Sequence, residues 1–154
     1  MKDTTKNPAS SSRSSRRTFL SKAGAAAFGF TIVPRNVLGG AGFTPPSERV
    51  NLAGSGAGGM GAGDIANHAE KGANIIAVCD VDEVRAAKIF NAFPNARRYK
   101  DFRELIDKEV KHIDAVTVGT PDHTHAVVAM AAIRAGKHVY CQKPLTHTLG
   151  ECRE

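Results

Sequence analysis

Tryptophan is missing from this 154-residue chain, and cysteine occurs only at Cys79, Cys141 and Cys152. An odd number of cysteines in a chain that is neither small nor rich in cysteine does not predict a disulfide framework. Free cysteine is among the residue types that proteins bury most often. We therefore expect all three to be thiols of the core.

Net charge is missing from most of the chain. Up to Arg49 there are eight basic and two acidic residues, whereas from Val50 onward thirteen residues of each sign cancel. The formal charge of +6 therefore belongs to the N-terminal segment. Because the remainder has no net field to attract a polyanion, nucleic-acid binding is not expected.

The N-terminal segment has the order of a twin-arginine export signal. The paired Arg16 and Arg17 precede Phe19 and Leu20, and a mildly apolar run follows over Ala23–Val33. That run is too short to span a bilayer, which takes about 20 residues. A disordered basic arm or a short amphipathic helix is the alternative. The signal predicts a translocase partner and export to the periplasm, with a membrane tether if the leader is not cleaved.

The composition divides the chain into two parts. Residues 1–45 combine the signal with a linker whose glycines and prolines prevent regular structure. Residues 46–154 form the predicted domain.

Within that domain, short apolar runs alternate with segments of helical periodicity. The predicted strands are Val50–Ser55, Asn74–Cys79, Arg97–Tyr99, Asp114–Gly119 and His138–Cys141. The predicted helices are Ala62–Lys71, Asp82–Ala92, one around Phe102–Ile106, Thr120–Ala135 and one from Thr146 to Glu154. Five strands alternating with helices predict an α/β fold with a doubly wound parallel sheet, a Rossmann fold.

A glycine-rich stretch follows the first predicted strand, with five glycines in the eight residues Gly54–Gly61. Backbone without side chains approaches a phosphate closely, and a helix that starts there points free N–H groups at it. Two G-x-G-x-x-G registers fit. The register of Gly56, Gly58 and Gly61 leaves a full strand before it and places the last glycine in the first helical turn. The predicted cofactor contacts here are Gly56, Gly58, Gly59, Met60 and Gly61.

An acidic residue, Asp80, follows the second predicted strand. Its position suits a carboxylate that accepts hydrogen bonds from the adenosine ribose of a dinucleotide and repels a 2′-phosphate. We therefore expect NAD rather than NADP, although Arg85, one turn further, is a residue that could admit a phosphate. A helix-capping role is the alternative for either Asp80 or Asp82.

Thr120 and Pro121 follow the fourth predicted strand and suit the cap and first position of a helix near the cofactor. Two imidazoles come next. On a helix, side chains at i and i+2 point about 200° apart, so His123 and His125 are not expected to bind one metal ion. We predict that His125 reaches the pocket for proton transfer and that His123 is solvated.

Lys143 follows the fifth predicted strand, between Gln142 and a proline. A lysine at the carboxyl end of the sheet can donate to a substrate oxygen during hydride transfer, so Lys143 is the predicted catalytic residue. Gln142 is predicted to contact the cofactor. An ordinary surface lysine is the alternative.

Taken together, these stretches resemble the Gfo/Idh/MocA oxidoreductases. They are Gly56–Gly61, Val78–Asp82, Thr120–His125 and Ala135–Leu145, in family order. The resemblance implies a nicotinamide-dependent dehydrogenase acting on sugars or cyclitols, with the lysine of a Glu-Lys-Pro motif near the reacting carbon. That lysine is Lys143.

The chain departs from the family pattern in three ways. Gln142 replaces the usual glutamate, and an amide lacks the negative charge that would hold a lysine protonated. Gly54 and Ser55 replace apolar strand residues and should weaken the first strand. We expect the family's substrate-binding second domain to be absent from this chain and the fragment alone to be inactive. A homo-oligomer is expected only as an option for the full-length protein. A non-catalytic nucleotide-binding or assembly module that needs a partner chain is the alternative.

Overall fold

Five parallel strands form the centre of the fold in the computed structural model, which describes residues 44–154 together with Val33 and Leu38. The strands are β1 Asn51–Ser55, β2 Asn74–Cys79, β3 Arg97–Tyr99, β4 Ala115–Val118 and β5 His138–Cys141. The helices are α1 Gly59–Glu70, α2 Glu83–Ala92, α3 Phe102–Glu109 and α4 His125–Arg134. The strand order is β3-β2-β1-β4-β5, so the predicted doubly wound parallel sheet is confirmed.

Two apolar layers cover the two faces of this sheet. Leu52 of β1 belongs to a cluster with Ile65 of α1 and Phe90 of α2. The next residue, Ala53, belongs to a second cluster with Leu105 of α3 and Val128 of α4. Adjacent strand residues point to opposite faces, and each face buries its own pair of helices. The sheet is therefore sandwiched between α1 and α2 on one side and α3 and α4 on the other.

The strand predictions agree closely with the structure. β2, β3 and β5 have the predicted limits, while β1 begins one residue later than predicted and β4 is shortened at both ends. β1 pairs with both β2 and β4. The expected weakening of β1 by Gly54 and Ser55 stays a prediction. A Cβ atom at Gly54 would lie 2.4 Å from the Ile65 Cδ1 atom, so this glycine is what allows α1 to pack on β1.

The predicted helix over Thr120–Ala135 is wrong at its start. Pro121 has an extended backbone with ψ of 148°, a 3-10 turn follows over Asp122–Thr124, and α4 begins only at His125. The Thr120 hydroxyl does not cap a helix. Instead, the Thr124 Oγ1 atom donates to the Pro121 carbonyl at 2.8 Å and closes the turn.

The predicted helix from Thr146 to Glu154 is also wrong. Only a 3-10 turn over Glu151–Arg153 forms there. The Glu151 carboxylate accepts hydrogen bonds from the His147 and Thr148 backbone N–H groups at 2.8 and 3.0 Å. These side-chain bonds close a turn, and the neighbouring Leu149 is 81% exposed, so no apolar face stabilises a longer helix.

The three cysteines are free thiols within the described residues, but they differ in burial. Cys79 is buried in the core, Cys141 is half-buried, and Cys152 is exposed in the last turn. The expectation of a core thiol is therefore wrong for Cys152, because the helix that was to bury it does not form.

Apart from Val33, Leu38, Thr44 and Pro45, the predicted export signal and linker lie outside the described residues. In the described part of the chain, each helix is too short or too polar to cross a membrane. The unit that contains the sheet begins at Thr44.

Candidate functional site

The turn after β1 accepts only glycine at its first position. Gly56 has a φ of +87°, and its N–H donates to the Cys79 carbonyl at 2.8 Å. A Cβ atom there would lie 2.5 Å from the Gly119 carbonyl and from the Thr120 nitrogen. The turns that follow β1 and β4 therefore touch backbone to backbone.

Helix α1 begins directly after this turn. Gly58 is its N-cap, and no side chain within residues 44–154 caps it. A Cβ atom at Gly61 would lie 2.1 Å from the Gly56 carbonyl oxygen, so Gly61 lets the first helical turn pack against the loop. Gly54 lies inside β1, which agrees with the register of Gly56, Gly58 and Gly61. An uncapped helix start beside a glycine turn has the geometry that binds a pyrophosphate.

Asp80 contacts this turn directly. Its Oδ2 atom accepts from the Ala57 N–H at 2.7 Å, and its Oδ1 atom accepts from the Asp82 N–H at 2.9 Å. Each carboxylate oxygen retains a second lone pair for a ribose hydroxyl. Asp82 caps α2 by accepting from the Val84 and Arg85 N–H groups. The capping role that was open for both acids therefore belongs to Asp82.

One of the positive charges near Asp80, that of Lys100, is partly neutralised by Glu83. Lys100 Nζ lies 2.9 Å from Glu83 Oε1, and that hydrogen bond lowers the pKa of Glu83. Both residues line a small pocket next to Asp80. Arg85 lies against the glycine turn, since a Cβ atom at Gly58 would be 3.3 Å from the Arg85 Cβ atom. Arg85 is thus a cation that lies beside the glycine turn.

Thr120 and His125 lie where the loops after β4 and β5 meet. The Thr120 hydroxyl is buried and has no hydrogen-bond partner within the described chain. His125 is 1% exposed, and its Nδ1 and Nε2 atoms lie 2.6 Å from the Pro144 carbonyl and 2.7 Å from the Thr120 carbonyl. Proton transfer by His125 stays a prediction. In this geometry both ring nitrogens face backbone, so the ring connects the two loops.

Gln142 and Lys143 follow β5 at the same edge of the sheet. The Gln142 N–H donates to the Val118 carbonyl at 2.9 Å, and its Nε2 atom donates to Asp64 Oδ2 at 2.8 Å. Lys143 is exposed, and the Lys143–Pro144 peptide bond is cis. Asp64 was missed by the sequence reasoning. Asp64 lies three residues after Gly61, and residues at this spacing share a helix face. The spacing could therefore have indicated that Asp64 faces the same side as Gly61.

Hydrogen bonds and close contacts connect all four groups that follow the strands. The predicted residues brought together are Gly56, Gly58, Gly61, Asp80, Thr120, Pro121, His125, Gln142 and Lys143. Gly59 and Met60 lie at the α1 start, and the Met60 side chain is 71% exposed. His123 is exposed in the 3-10 turn. Within the residues that the structure describes, no three His, Cys, Asp or Glu side chains form a group that could hold a metal ion.

A family model described as the oxidoreductase family with an NAD-binding Rossmann fold, Gfo/Idh/MocA, matches residues 49–154. The chain belongs to this family. The glycine turn, the uncapped start of α1 and the orphaned Thr120 hydroxyl fit a dinucleotide cofactor in this domain.

Curated relatives include two bacterial inositol dehydrogenases. Inositol 2-dehydrogenase 2 of Saccharopolyspora erythraea is 42% identical over 105 residues, which is 67% of this chain and 30% of the relative. Inositol 2-dehydrogenase of Acidothermus cellulolyticus is 38% identical over 109 residues, which is 71% of this chain and 31% of the relative. The chain therefore spans less than a third of the length of these relatives.

A solved structure of similar fold is myo-inositol 2-dehydrogenase from Lactobacillus plantarum. It matches with a TM-score of 0.63 and 26% identity, over 69% of this chain and 31% of that chain. This likeness supports the parallel five-stranded sheet with flanking helices.

Proposed function

We propose that the protein is an NAD-dependent dehydrogenase of a cyclitol or sugar and that residues 46–154 supply its cofactor-binding domain. The observation that carries this is the convergence of the glycine turn, Asp80, Thr120 and the Gln142–Lys143 segment at one edge of the sheet. The relatives named as inositol 2-dehydrogenases support a polyol substrate.

The preference for NAD is argued from the charges next to the glycine turn. The Asp80 carboxylate, held by the Ala57 N–H, would accept hydrogen bonds from a ribose diol and repel a 2′-phosphate. Lys100 forms an exposed ion pair with Glu83, which partly offsets its charge. Arg85, next to Gly58, is the residue that could admit a 2′-phosphate and so weaken this preference.

The reaction assigned to the whole protein is hydride transfer. NAD supplies the hydride acceptor when it is bound. Lys143, as the neutral amine, would accept at Nζ the proton that the substrate hydroxyl loses, and the ammonium so formed would donate a hydrogen bond to the resulting carbonyl oxygen. Thr120 would use its unpartnered hydroxyl to orient the cofactor.

The cofactor proposal is tested by titrating the 154-residue chain with NADH and NADPH, with NADH fluorescence or calorimetry as the readout. We expect an NADH Kd at least about tenfold below that for NADPH, since a like charge opposes the 2′-phosphate. Asp80→Ala should bring the two Kd values together, whereas Asp82→Ala, which removes only the α2 cap, should keep their ratio. Equal losses of both affinities in Asp80→Ala would contradict the ribose assignment, and no binding by the unmodified chain would overturn the cofactor proposal.

The catalytic proposal is tested in the native-length protein with NAD and a panel of cyclitols and sugars. Lys143→Met should abolish turnover while NADH affinity stays within about twofold, because the missing ammonium acts on the substrate oxygen. Retained turnover in Lys143→Met would remove this lysine from the mechanism.

We further propose export through the twin-arginine translocase to the periplasm, supported by Arg16, Arg17 and the apolar run after them. Changing both arginines to lysine in the full chain should leave the protein in the cytoplasmic fraction, whereas Arg13→Lys should not. Unchanged export of the double variant would contradict this route.

A further inference from the structure

A buried carboxylate lies in the middle of α1, behind the glycine turn. Asp64 is 8% exposed, and it is one of only a few buried charged or polar residues among those described. A carboxylate removed from water is costly unless hydrogen bonds compensate for it. Its partner in the structure is the Gln142 side chain, 78 positions along the chain, at 2.8 Å.

This bond fixes which way the Gln142 amide points. A carboxylate only accepts hydrogen bonds, so the NH₂ group of Gln142 must face Asp64. The amide oxygen is then turned toward the Lys143 backbone N–H, 3.4 Å away, a longer and weaker contact. The Gln142 backbone N–H is anchored to Val118 of β4. Gln142 is thus held from both its backbone and its side chain immediately before Lys143.

The residue types at positions 64 and 142 are chemically matched. A glutamate at position 142 would place a second carboxylate against Asp64, and two carboxylates at hydrogen-bond distance cannot both ionise. The amide of Gln142 avoids this conflict because it donates. The negative charge that Gln142 lacks is present one hydrogen bond away, on Asp64.

We propose that Asp64 is the positioning residue for Lys143, acting through Gln142, and that the Asp64–Gln142 pair replaces a carboxylate at position 142. This inference rests on the proposed dehydrogenase function. The pair connects the helix that begins at the glycine turn with the segment that carries the catalytic lysine. Asp64 itself is not assigned any contact with substrate.

The test is a swap of the pair in the native-length protein. Asp64→Ala should lower kcat about 10- to 100-fold, as the loss of a supporting hydrogen bond does at other sites, with the Kd for NADH within about twofold. Gln142→Glu alone should lower kcat to a similar extent. The double variant Asp64→Asn/Gln142→Glu restores one donor, one acceptor and one charge, so it should recover most of the kcat lost in Gln142→Glu.

The control is Glu70→Ala, an exposed position on the same helix, which should leave kcat, KM and the melting temperature unchanged. The pH profile of kcat should shift in Asp64→Ala and return in the swapped variant, which a purely structural contact would not produce. A kcat in Asp64→Ala within about threefold of the unmodified protein would overturn the proposal. A kcat in the double variant no higher than that in Gln142→Glu would also overturn it. This second comparison does not depend on whether Asp64→Ala folds.

A second readout separates this inference from the proposed function. If the unmodified protein turns over no cyclitol or sugar, the proposed function fails, and hydrogen exchange in the 154-residue chain then tests the pair. The Gln142 side-chain amide and the Lys143 N–H should exchange at least about tenfold faster in Asp64→Ala than in the unmodified chain. Equal exchange rates would overturn the role of Asp64.

Discussion

At the scale of single residues, two glycines of α1 differ in whether the surrounding structure leaves room for a side chain. Gly61 faces the loop, and a Cβ atom there would lie 2.1 Å from the Gly56 carbonyl oxygen. Gly63 is exposed, and a Cβ atom there would have no heavy atom of the described residues within 4 Å. Gly61 therefore serves the close approach of helix and turn, whereas Gly63 only weakens the helix.

We predict that Gly61→Ala lowers the free energy of unfolding by about 1–3 kcal/mol, since backbone must move to admit the methyl group. Gly63→Ala should raise it by about 0.5–1 kcal/mol, because alanine is the better helix former. Urea unfolding of the chain measures both. Similar effects in the two variants would contradict the close approach at Gly61.

At the scale of elements, a buried carboxylate holds the edge strand to its helix. Glu109, at the end of α3, accepts hydrogen bonds from the Arg97 guanidinium and, at 2.5 Å, from the Tyr99 hydroxyl, both on β3. Burial raises the pKa of Glu109, but the hydrogen bonds from Arg97 and Tyr99 outweigh it and hold the pKa below its ordinary value of 4.5. β3 has only three residues, so this cluster supplies much of its attachment.

We predict that Glu109→Gln lowers the free energy of unfolding by about 1–3 kcal/mol at pH 7, as expected for lost bonds to a buried charged group. Glu104→Gln, whose partner Lys108 lies on the surface, should cost less than about 0.5 kcal/mol. Because the folded-state pKa of Glu109 is lowered, its stabilisation is present above about pH 4.5 and is lost as the pH falls through the folded value. Chemical denaturation between pH 7 and pH 3 should therefore show the gap between Glu109→Gln and the unmodified chain closing; a constant gap would contradict the ionic role.

Loop-to-loop contacts also belong to this scale. His125 connects the turns after β4 and β5 through two backbone carbonyls, and Asp80 connects the turn after β1 to that after β2. The edge of the sheet that carries the candidate site is therefore held together by side chains.

At the scale of the whole molecule, the cysteines differ in how deeply the two apolar layers bury them, so their reactivity reports on folding. Burial, with a smaller effect of the Asp101, Asp80 and Glu104 charges, raises the pKa of the Cys79 thiol to about 12. Burial also raises the pKa of Cys141, while Cys152 is exposed.

We predict that iodoacetamide at pH 8 modifies Cys152 of the folded chain first, Cys141 more slowly and Cys79 last. The pKa of about 12 alone makes the Cys79 thiolate on the order of a thousandfold rarer than that of an unperturbed thiol. In urea all three should react at similar rates. Mass spectrometry after timed quenching identifies each site, and labelling of Cys79 as fast as Cys152 in the folded chain would contradict the two-layer core.

The sequence by itself determined the alternation of strands and helices, the glycine register and the position of Asp80 after β2. These features depend on residues that are neighbours along the chain, whose spacing fixes periodicity and turn geometry. Only the tertiary structure decided that Glu109 and Asp64 are buried and that His125 faces two carbonyls. It also decided that a 3-10 turn precedes α4 and that the chain after Thr146 forms a turn instead of a helix. The bond from Gln142 to Asp64 joins residues 78 positions apart. Such contacts depend on how strands align and how helices pack across the sheet, which no local pattern specifies.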